Sequence, residues 1–372
     1  MNPRERMLAA LRGGPVDRVP LEPDGLECTG PDDLASFEDP LARRLAERVI
    51  DVSHFRVRHP SHINRYLVTP PQCIRSERHE RDDGSAVISG VIETPKGDLT
   101  FRKEWDPSAR TWWNVDYPVE TVEDVEKIAS VPWQRPAELR PPEENDLSGD
   151  FAERGLMTTY ISSPFVCAAG MMPYETFLEW CATRLDMLRE LTDICLDRVL
   201  DCLEVLLSGS LIEYVWMGGS EWVTPPMAAP DIYDALVQEQ ERAIIDYVHD
   251  NSDAIVHVHC HGRVRDALPK MIERGVDYTE PVEPPPSGDI TMAEAKAVAD
   301  GRITLGGNIE CALLCNGTPE RVEEAVCAAF EGGKGRFVLR PTERPSPEPS
   351  EREFRNYTRM IDVWEELSPV TC

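Results

Sequence analysis

From about residue 155 onward the chain alternates strand-like and helix-like stretches, and this alternation limits the fold more than any other feature. Apolar runs at 156–161, 211–217, 254–259, 276–279, 302–305 and 337–339 are separated by helical patterns at 174–207, 230–250, 264–274, 291–299 and 318–332. Repeated strand–helix units require parallel strands with right-handed crossovers, so the sheet is covered on both faces or closed on itself. Residues 18–22 read as a further strand ended by Pro23-Asp24-Gly25, and one more strand falls within 50–70. That count predicts an α/β chain built as a (β/α)8 TIM barrel. No GxGxxG or Walker-type loop opens any of these helices, which sets aside the dinucleotide and nucleotide folds.

The flanking segments fit a single barrel domain over 1–372. A helix over 3–12, closed by Gly13-Gly14, precedes the first strand, and another covers 38–50. Residues 72–117 differ in character: alternating stretches surround the turn signals Asp82-Asp83-Gly84 and Thr94 to Asp98. They predict an antiparallel β-meander inserted in the barrel and covering its mouth. A Pro/Glu-rich connection follows at 132–146. The Pro/Glu/Arg/Ser-dense stretch at 340–355 reads as a loop over the mouth, held by a last helix at 351–366.

Charge narrows the partners. With 39 Lys and Arg against 67 Asp and Glu, the net charge of −28 repels phosphate and argues against nucleic-acid binding. No apolar run reaches the ~18 residues of a membrane span, and no apolar segment follows the charged start as in a secretory signal. The 11 cysteines are scattered without framework spacing and are expected to be reduced, mostly buried thiols of a cytoplasmic protein.

Three of the eight histidines lie in Val256-His257-Val258-His259-Cys260-His261-Gly262. In an extended chain positions i, i+2 and i+4 share a face, so the imidazoles project one way and Val258 and Cys260 the other. The apolar pair suits the helix layer, which turns the histidines into the barrel. Gly262 marks the strand end and places His259 and His261 at the C-terminal rim, where barrel enzymes hold their active sites. Two imidazoles at this spacing chelate a borderline metal, with Zn²⁺ the default. His257 lies deeper and reads as structural. Carboxylates after other strands offer further donors: Glu221, Glu280, Glu283 and Glu343. Arg340, Arg344, Glu22 and Asp24 also sit near strand ends. Cys311 and Cys315 fall on a helical stretch and read as core thiols.

The opening Asn2-Pro-Arg-Glu-Arg-Met-Leu-Ala-Ala-Leu with Asp17-Arg-Val-Pro, the His259-Cys-His261-Gly segment, and Leu305-Gly-Gly-Asn308-Ile-Glu310 resemble the uroporphyrinogen decarboxylase superfamily over nearly the whole chain. The resemblance implies a (β/α)8 barrel and divides into true decarboxylases and zinc-dependent methyltransferases. Decarboxylases carry an Arg-Gln-Ala-Gly-Arg segment that holds substrate carboxylates. Here that stretch is Glu22-Pro-Asp-Gly-Leu-Glu27, without arginine, and a porphyrinogen would meet repulsion.

The methyltransferase branch is closer. Its members acting on corrinoid proteins, and the related cobalamin-independent methionine synthase, carry a His-x-Cys zinc pair where this chain has His259-x-His261. The resemblance also implies Glu283 as a ligand, with Glu280 in reserve, and puts Glu343 where the family's last cysteine falls. Replacing thiolates by imidazole and carboxylate makes zinc a stronger Lewis acid, suited to an oxygen donor. The expected activity is a zinc-dependent methyltransferase that demethylates a small methoxylated substrate and passes the methyl group to a corrinoid (cobalamin) on a separate protein. Glu221 is expected to bind a substrate hydroxyl or act as an acid. Asp24, Trp222 and Arg340 are expected to bind substrate, with Trp112, Trp113 and Trp216 as further candidates for an apolar wall. Family likeness adds a homodimer. The competing readings are a metal-independent decarboxylase or lyase on the same barrel, and a non-catalytic metal-binding protein.

Overall fold

The computed structural model describes residues 1–370, which leaves Cys372 outside the described part. In chain order the strands are β1 (Phe55–His59), β2 (Ile74–Glu80), β3 (Ala86–Ile92), β4 (Leu99–Asp106), β5 (Thr111–Asp116), β6 (Gly155–Ser162), β7 (Tyr214–Gly218), β8 (Ile255–His259), β9 (Tyr278–Glu280), β10 (Thr304–Ile309) and β11 (Phe337–Pro341). Seven of them form one parallel sheet in the order β1-β6-β7-β8-β9-β10-β11. The sheet is curled. Glu22 meets Arg56 of β1, Tyr278 of β9 and Arg340 of β11, so the first and last strands approach one carboxylate.

The strand expected at 18–22 is reduced to a bridge. Leu21 pairs in parallel with Leu339, supported by Glu22 N–H to Leu339 C=O (2.9 Å) and Leu339 N–H to Pro20 C=O (3.0 Å). Pro20 and Pro23 have no N–H to donate, so the ladder stops there in both directions. The sheet therefore has seven full strands, and side chains link this segment to β1. The strand expected within 50–70 is β1.

The lower end of the curled sheet is filled from the N-terminus. The helix Pro3–Leu11 starts at an Asn2 cap, whose side chain accepts the Glu5 N–H, with Pro3 in the first turn. Its Met7 and Leu11 pack on Leu156, Tyr214, Ile255, Tyr278 and Val338, side chains from five strands. Outside, Val258 and Cys260 are buried among the helices, as the alternation along β8 requires. The helical pattern at 174–207 is two helices, Tyr174–Thr183 and Leu185–Leu207, because Arg184 leaves helical geometry at φ −147, ψ 39.

The predicted meander is present as the antiparallel sheet β2-β3-β4-β5. Ala86, Ile92, Leu99 and Phe101 on β3 and β4 are buried, whereas β2 is mostly exposed. Gly90 sits opposite Phe101, and a Cβ there would come within 2.2 Å of the ring, so only glycine lets the phenyl group lie across β3.

Two outer helices are joined by a buried ion pair. Arg274 donates to Glu241 at 2.5 Å and to the Gln238 amide oxygen at 3.0 Å, with both charged side chains fully inside. Removing one partner of such a pair strands the other charge, at about 3–5 kcal/mol. Arg274→Met should lower the urea-unfolding free energy by about that much. Adding Glu241→Leu should recover part of the loss. A double variant no more stable than the single one would show that the buried carboxylate is not the source of the cost.

Candidate functional site

The site is assembled where β7, β8, β9 and β11 end. β8 delivers His257, His259 and His261 to one side, as the alternation predicts. His257 is buried, and burial pushes its imidazole down to about 3, so it is neutral. Its Nε2 lies 3.0 Å from Glu280 Oε1, and its Nδ1 lies 2.6 Å from the Tyr214 hydroxyl. A neutral ring facing a carboxylate carries its proton on Nε2, so Nδ1 accepts from Tyr214.

One register step along, His259 Nδ1 donates to the same Glu280 oxygen at 2.7 Å. The other oxygen of Glu280 lies 2.8 Å from Arg340 Nη1. Burial alone would raise the Glu280 carboxyl, but Arg340, His259 and His257 outweigh it and hold the group well below the usual carboxylate range. Glu280 thus orients two imidazoles and neutralises a buried arginine. That arrangement leaves His259 Nε2 without a hydrogen-bond partner among the described residues.

Past the end of β8, the chain turns at Gly262, whose φ of +79 lies in the left-handed region. The Gly262 N–H donates to Glu283 Oε2 at 2.5 Å, and the other oxygen of Glu283 is 3.3 Å from His261 Nδ1. His261 Nε2 faces Glu343 at 3.5 Å. The rings of His259 and His261 are 4.6 Å apart, nearly perpendicular. Burial would lower the His261 pKa, but the Glu283 hydrogen bond and the surrounding carboxylates raise it overall. For Glu283 the balance runs the other way: burial raises its carboxyl, and the His261 and Gly262 contacts outweigh that.

Glu221 follows β7 on the short turn Ser220–Val223. Its Oε2 is buried without a hydrogen-bond partner, and burial raises its pKa. It lines a cavity of about 630 Å³ together with His261, Glu283, Trp222, Met172 and Met227. Asn114 and Tyr117, from the end of the meander, also reach this cavity. A smaller chamber of about 150 Å³ opens on the His259 side, and Asp24, Arg340, Glu343 and Trp216 line it. His259, His261, Glu221, Glu283, Glu343, Asp24, Trp222 and Arg340 therefore all border one of two chambers flanking the imidazole pair. Among the described residues no three His, Cys, Asp or Glu side chains already form a metal-ready group.

Other expectations fall outside the site. Trp112 packs on Trp105, and Trp113 is exposed, so neither lines a chamber. Cys311 and Cys315 are half-buried on one helix with their sulfurs 3.7 Å apart. Arg56 and Arg58 on β1 both line the small chamber and were not picked out from the sequence. Their signal was the alternation Phe55-Arg-Val-Arg58 in a region without clear strand bounds. Glu22, read as a repelling charge, is neutralised by Arg56 and lies 3.3 Å from Arg340.

The family model for uroporphyrinogen decarboxylase (URO-D) matches residues 147–348. No curated protein matches the chain by sequence. A methyltransferase from Methanosarcina mazei shares the fold, with a TM-score of 0.60 at 14% identity over 98% of this chain and 99% of that one. A B12-independent methionine synthase from Shewanella sp. W3-18-1, in complex with selenomethionine, overlaps at a TM-score of 0.37 and 10% identity, over 79% of this chain and 75% of that one. Among the described residues no helix is long and apolar enough to cross a membrane.

His54, just before β1, is buried 3.8 Å from Glu22 and near Arg340. Burial, helped by Arg340, depresses its pKa to about 4. Its folded pKa lies below the unfolded value near 6.5, so the unfolded chain binds the extra proton first and stability falls as pH drops from about 6.5 towards 4. His54→Gln should lack about 2 kcal/mol of that acid-side loss when unfolding is compared between pH 7 and 4.5. Parallel pH profiles for the two proteins would mean that His54 is already charged in the fold.

Proposed function

The chain belongs to the uroporphyrinogen decarboxylase family, and from that premise we propose that it is a zinc-dependent methyltransferase that takes a methyl group from a small methoxylated substrate. The acceptor in this reading is a corrinoid carried by a separate protein. The observation that carries the proposal is the His259–His261 pair: two imidazoles 4.6 Å apart at the rim, one oriented by Glu280 and the other set between Glu283 and Glu343.

The donor set suits a zinc ion. Glu280 fixes His259 through Nδ1 and leaves Nε2 for a ligand, the arrangement that carboxylates impose on metal-binding histidines. His259, His261, Glu283 and Glu343 would hold the ion, and the buried, unpartnered Glu221 oxygen beside them is a polar group in want of a cation or a donor. With nitrogen and oxygen ligands only, the bound ion would act as a Lewis acid on an ether oxygen. Glu221, its carboxyl pKa raised by burial, is placed to hold a proton for the departing oxygen or to bind a substrate hydroxyl. Trp222, Met172 and Met227 give the larger chamber an apolar wall for the body of the substrate, and Asp24 and Arg340 supply polar contacts from the smaller one. The meander would cover the mouth from the Asn114 and Tyr117 side.

A metal-independent decarboxylase would need cations set around several substrate carboxylates. The larger chamber is walled mainly by apolar side chains with one arginine, Arg263, and two of the four arginines of the smaller chamber, Arg56 and Arg340, are neutralised by Glu22 and Glu280, so the body of the substrate meets an apolar wall instead of a ring of free cations.

Protein purified with zinc should carry about one equivalent per chain. His259→Ala and His261→Ala should each lose the metal and methyl transfer to a corrinoid acceptor, while Trp113→Ala should keep both. Full zinc content in both histidine variants, measured by elemental analysis, would remove the basis of the proposal.

A further inference from the structure

Two thiols outside the candidate site stand as a pair. Cys311 and Cys315 lie four residues apart on the helix Cys311–Asn316, and so on one side of a single turn, with their sulfurs 3.7 Å apart. Both are half-buried. The spacing suits a bridge of one atom better than a direct bond. A disulfide holds its sulfurs about 2.05 Å apart and its Cβ atoms about 3.5–4.5 Å apart. Positions i and i+4 of a helix keep their Cβ atoms about 5–6 Å apart, so a direct bond would have to unwind the turn. Two bonds of about 2.3 Å from sulfur to one shared atom span about 3.8 Å at a tetrahedral opening, close to the separation found.

The surroundings decide which atom can bridge. Burial pushes the Cys311 thiol up to about 12, and Cys315, Glu353 and Glu343 push in the same direction. Burial raises the Cys315 thiol as well, and the buried Glu353 adds to that shift. Both sulfurs therefore carry their protons at neutral pH, and a partner must take those protons away. A zinc ion in a closed site asks for four ligands. Among the described residues no third His, Cys, Asp or Glu completes a metal-ready group with this pair. A trivalent arsenic atom that already bears one carbon substituent needs only two sulfurs to fill its three-coordinate shell, and its dithiolate is uncharged.

We propose that Cys311 and Cys315 form a capture site for a monosubstituted trivalent arsenical, R–As(OH)2, whose arsenic bridges the two sulfurs. Two As–S bonds form while two As–O and two S–H bonds break. Each hydroxyl group leaves with one thiol proton as water, and arsenic stays trivalent, so the step needs neither oxidant nor reductant. The bridge closes one turn of the helix and leaves no charge in its half-buried surroundings. The site adjoins the proposed metal centre without sharing a residue with it: the Cys311 N–H donates to Thr342 Oγ1 at 3.0 Å, and Thr342 precedes Glu343. The proposal stands on the thiol pair and does not rest on the methyl-transfer reading.

The test is titration of the reduced, full-length protein with phenylarsine oxide, followed by intact mass and by the competitor needed to strip the adduct. The wild type should take up one phenylarsenic group with loss of two thiol hydrogens. That adduct should resist an excess of 2-mercaptoethanol and yield to 2,3-dimercaptopropanol. Cys311→Ser and Cys315→Ser should each weaken retention about 100-fold, as when a two-point hold becomes a one-point hold, with the thermal midpoint and zinc content unchanged. Cys327→Ser should retain the adduct. Peptide mapping of the wild type, which needs no variant, should find Cys311 and Cys315 protected from iodoacetamide by the arsenical. No retained adduct on the wild type, undiminished retention in both serine variants, or an adduct mapped to other cysteines would each overturn the site. Zinc or cadmium held at the pair as tightly as the arsenical, and lost in the same variants, would overturn the choice of an arsenical over a cation.

Discussion

The buried carboxylate of Glu280 is the contact on which the arrangement of the site depends. Its two oxygens serve three partners, His257, His259 and Arg340, drawn from β8 and β11 while Glu280 itself ends β9. A carboxylate in this position would be costly alone, because burial disfavours its charge. Arg340 supplies the compensating charge, His259 supplies a hydrogen bond, and the neutral His257 ring approaches to 3.0 Å. In return, His257 and His259 are fixed in ring orientation, and the pair at the rim can present itself without rearrangement.

The same logic extends to the closing seam of the sheet. Glu22, on the shortened segment beside β11, joins Arg56, Tyr278 and Arg340, so the gap between the first and last strands is bridged by charged side chains instead of backbone hydrogen bonds. Two of these groups, Arg56 and Arg340, also line the small chamber. The polarity needed to hold the seam and the polarity that lines the site are therefore one continuous network, which ties the position of His259 to the curvature of the sheet.

Much of this was legible in the sequence for simple physical reasons. The period of two along Val256 to His261 sorts imidazoles from apolar groups, and the structure keeps that sorting. Residues after strands could be picked out because a parallel sheet gathers those ends at one rim, and Glu221, Glu283 and Glu343 are all found there. What was not legible depended on long-range contacts. Whether Glu280 or Glu283 faces His259 is a matter of register between β8 and β9, and the register puts His259 opposite Glu280. Arg56 and Arg58 sit on a five-residue strand with no apolar run to mark it. The segment 18–22 has strand composition, yet its prolines limit it to a bridge, a consequence visible only once Leu339 is known to be its neighbour.

In the proposed metal centre, His259 and His261 together would hold a zinc ion with oxygen donors and without sulfur. X-ray absorption at the zinc edge of the metal-loaded protein tests this most directly. The expected shell has nitrogen and oxygen neighbours and the scattering pattern of two imidazoles, with no sulfur at about 2.3 Å. A sulfur neighbour in that shell, or the signature of a single imidazole, would contradict it.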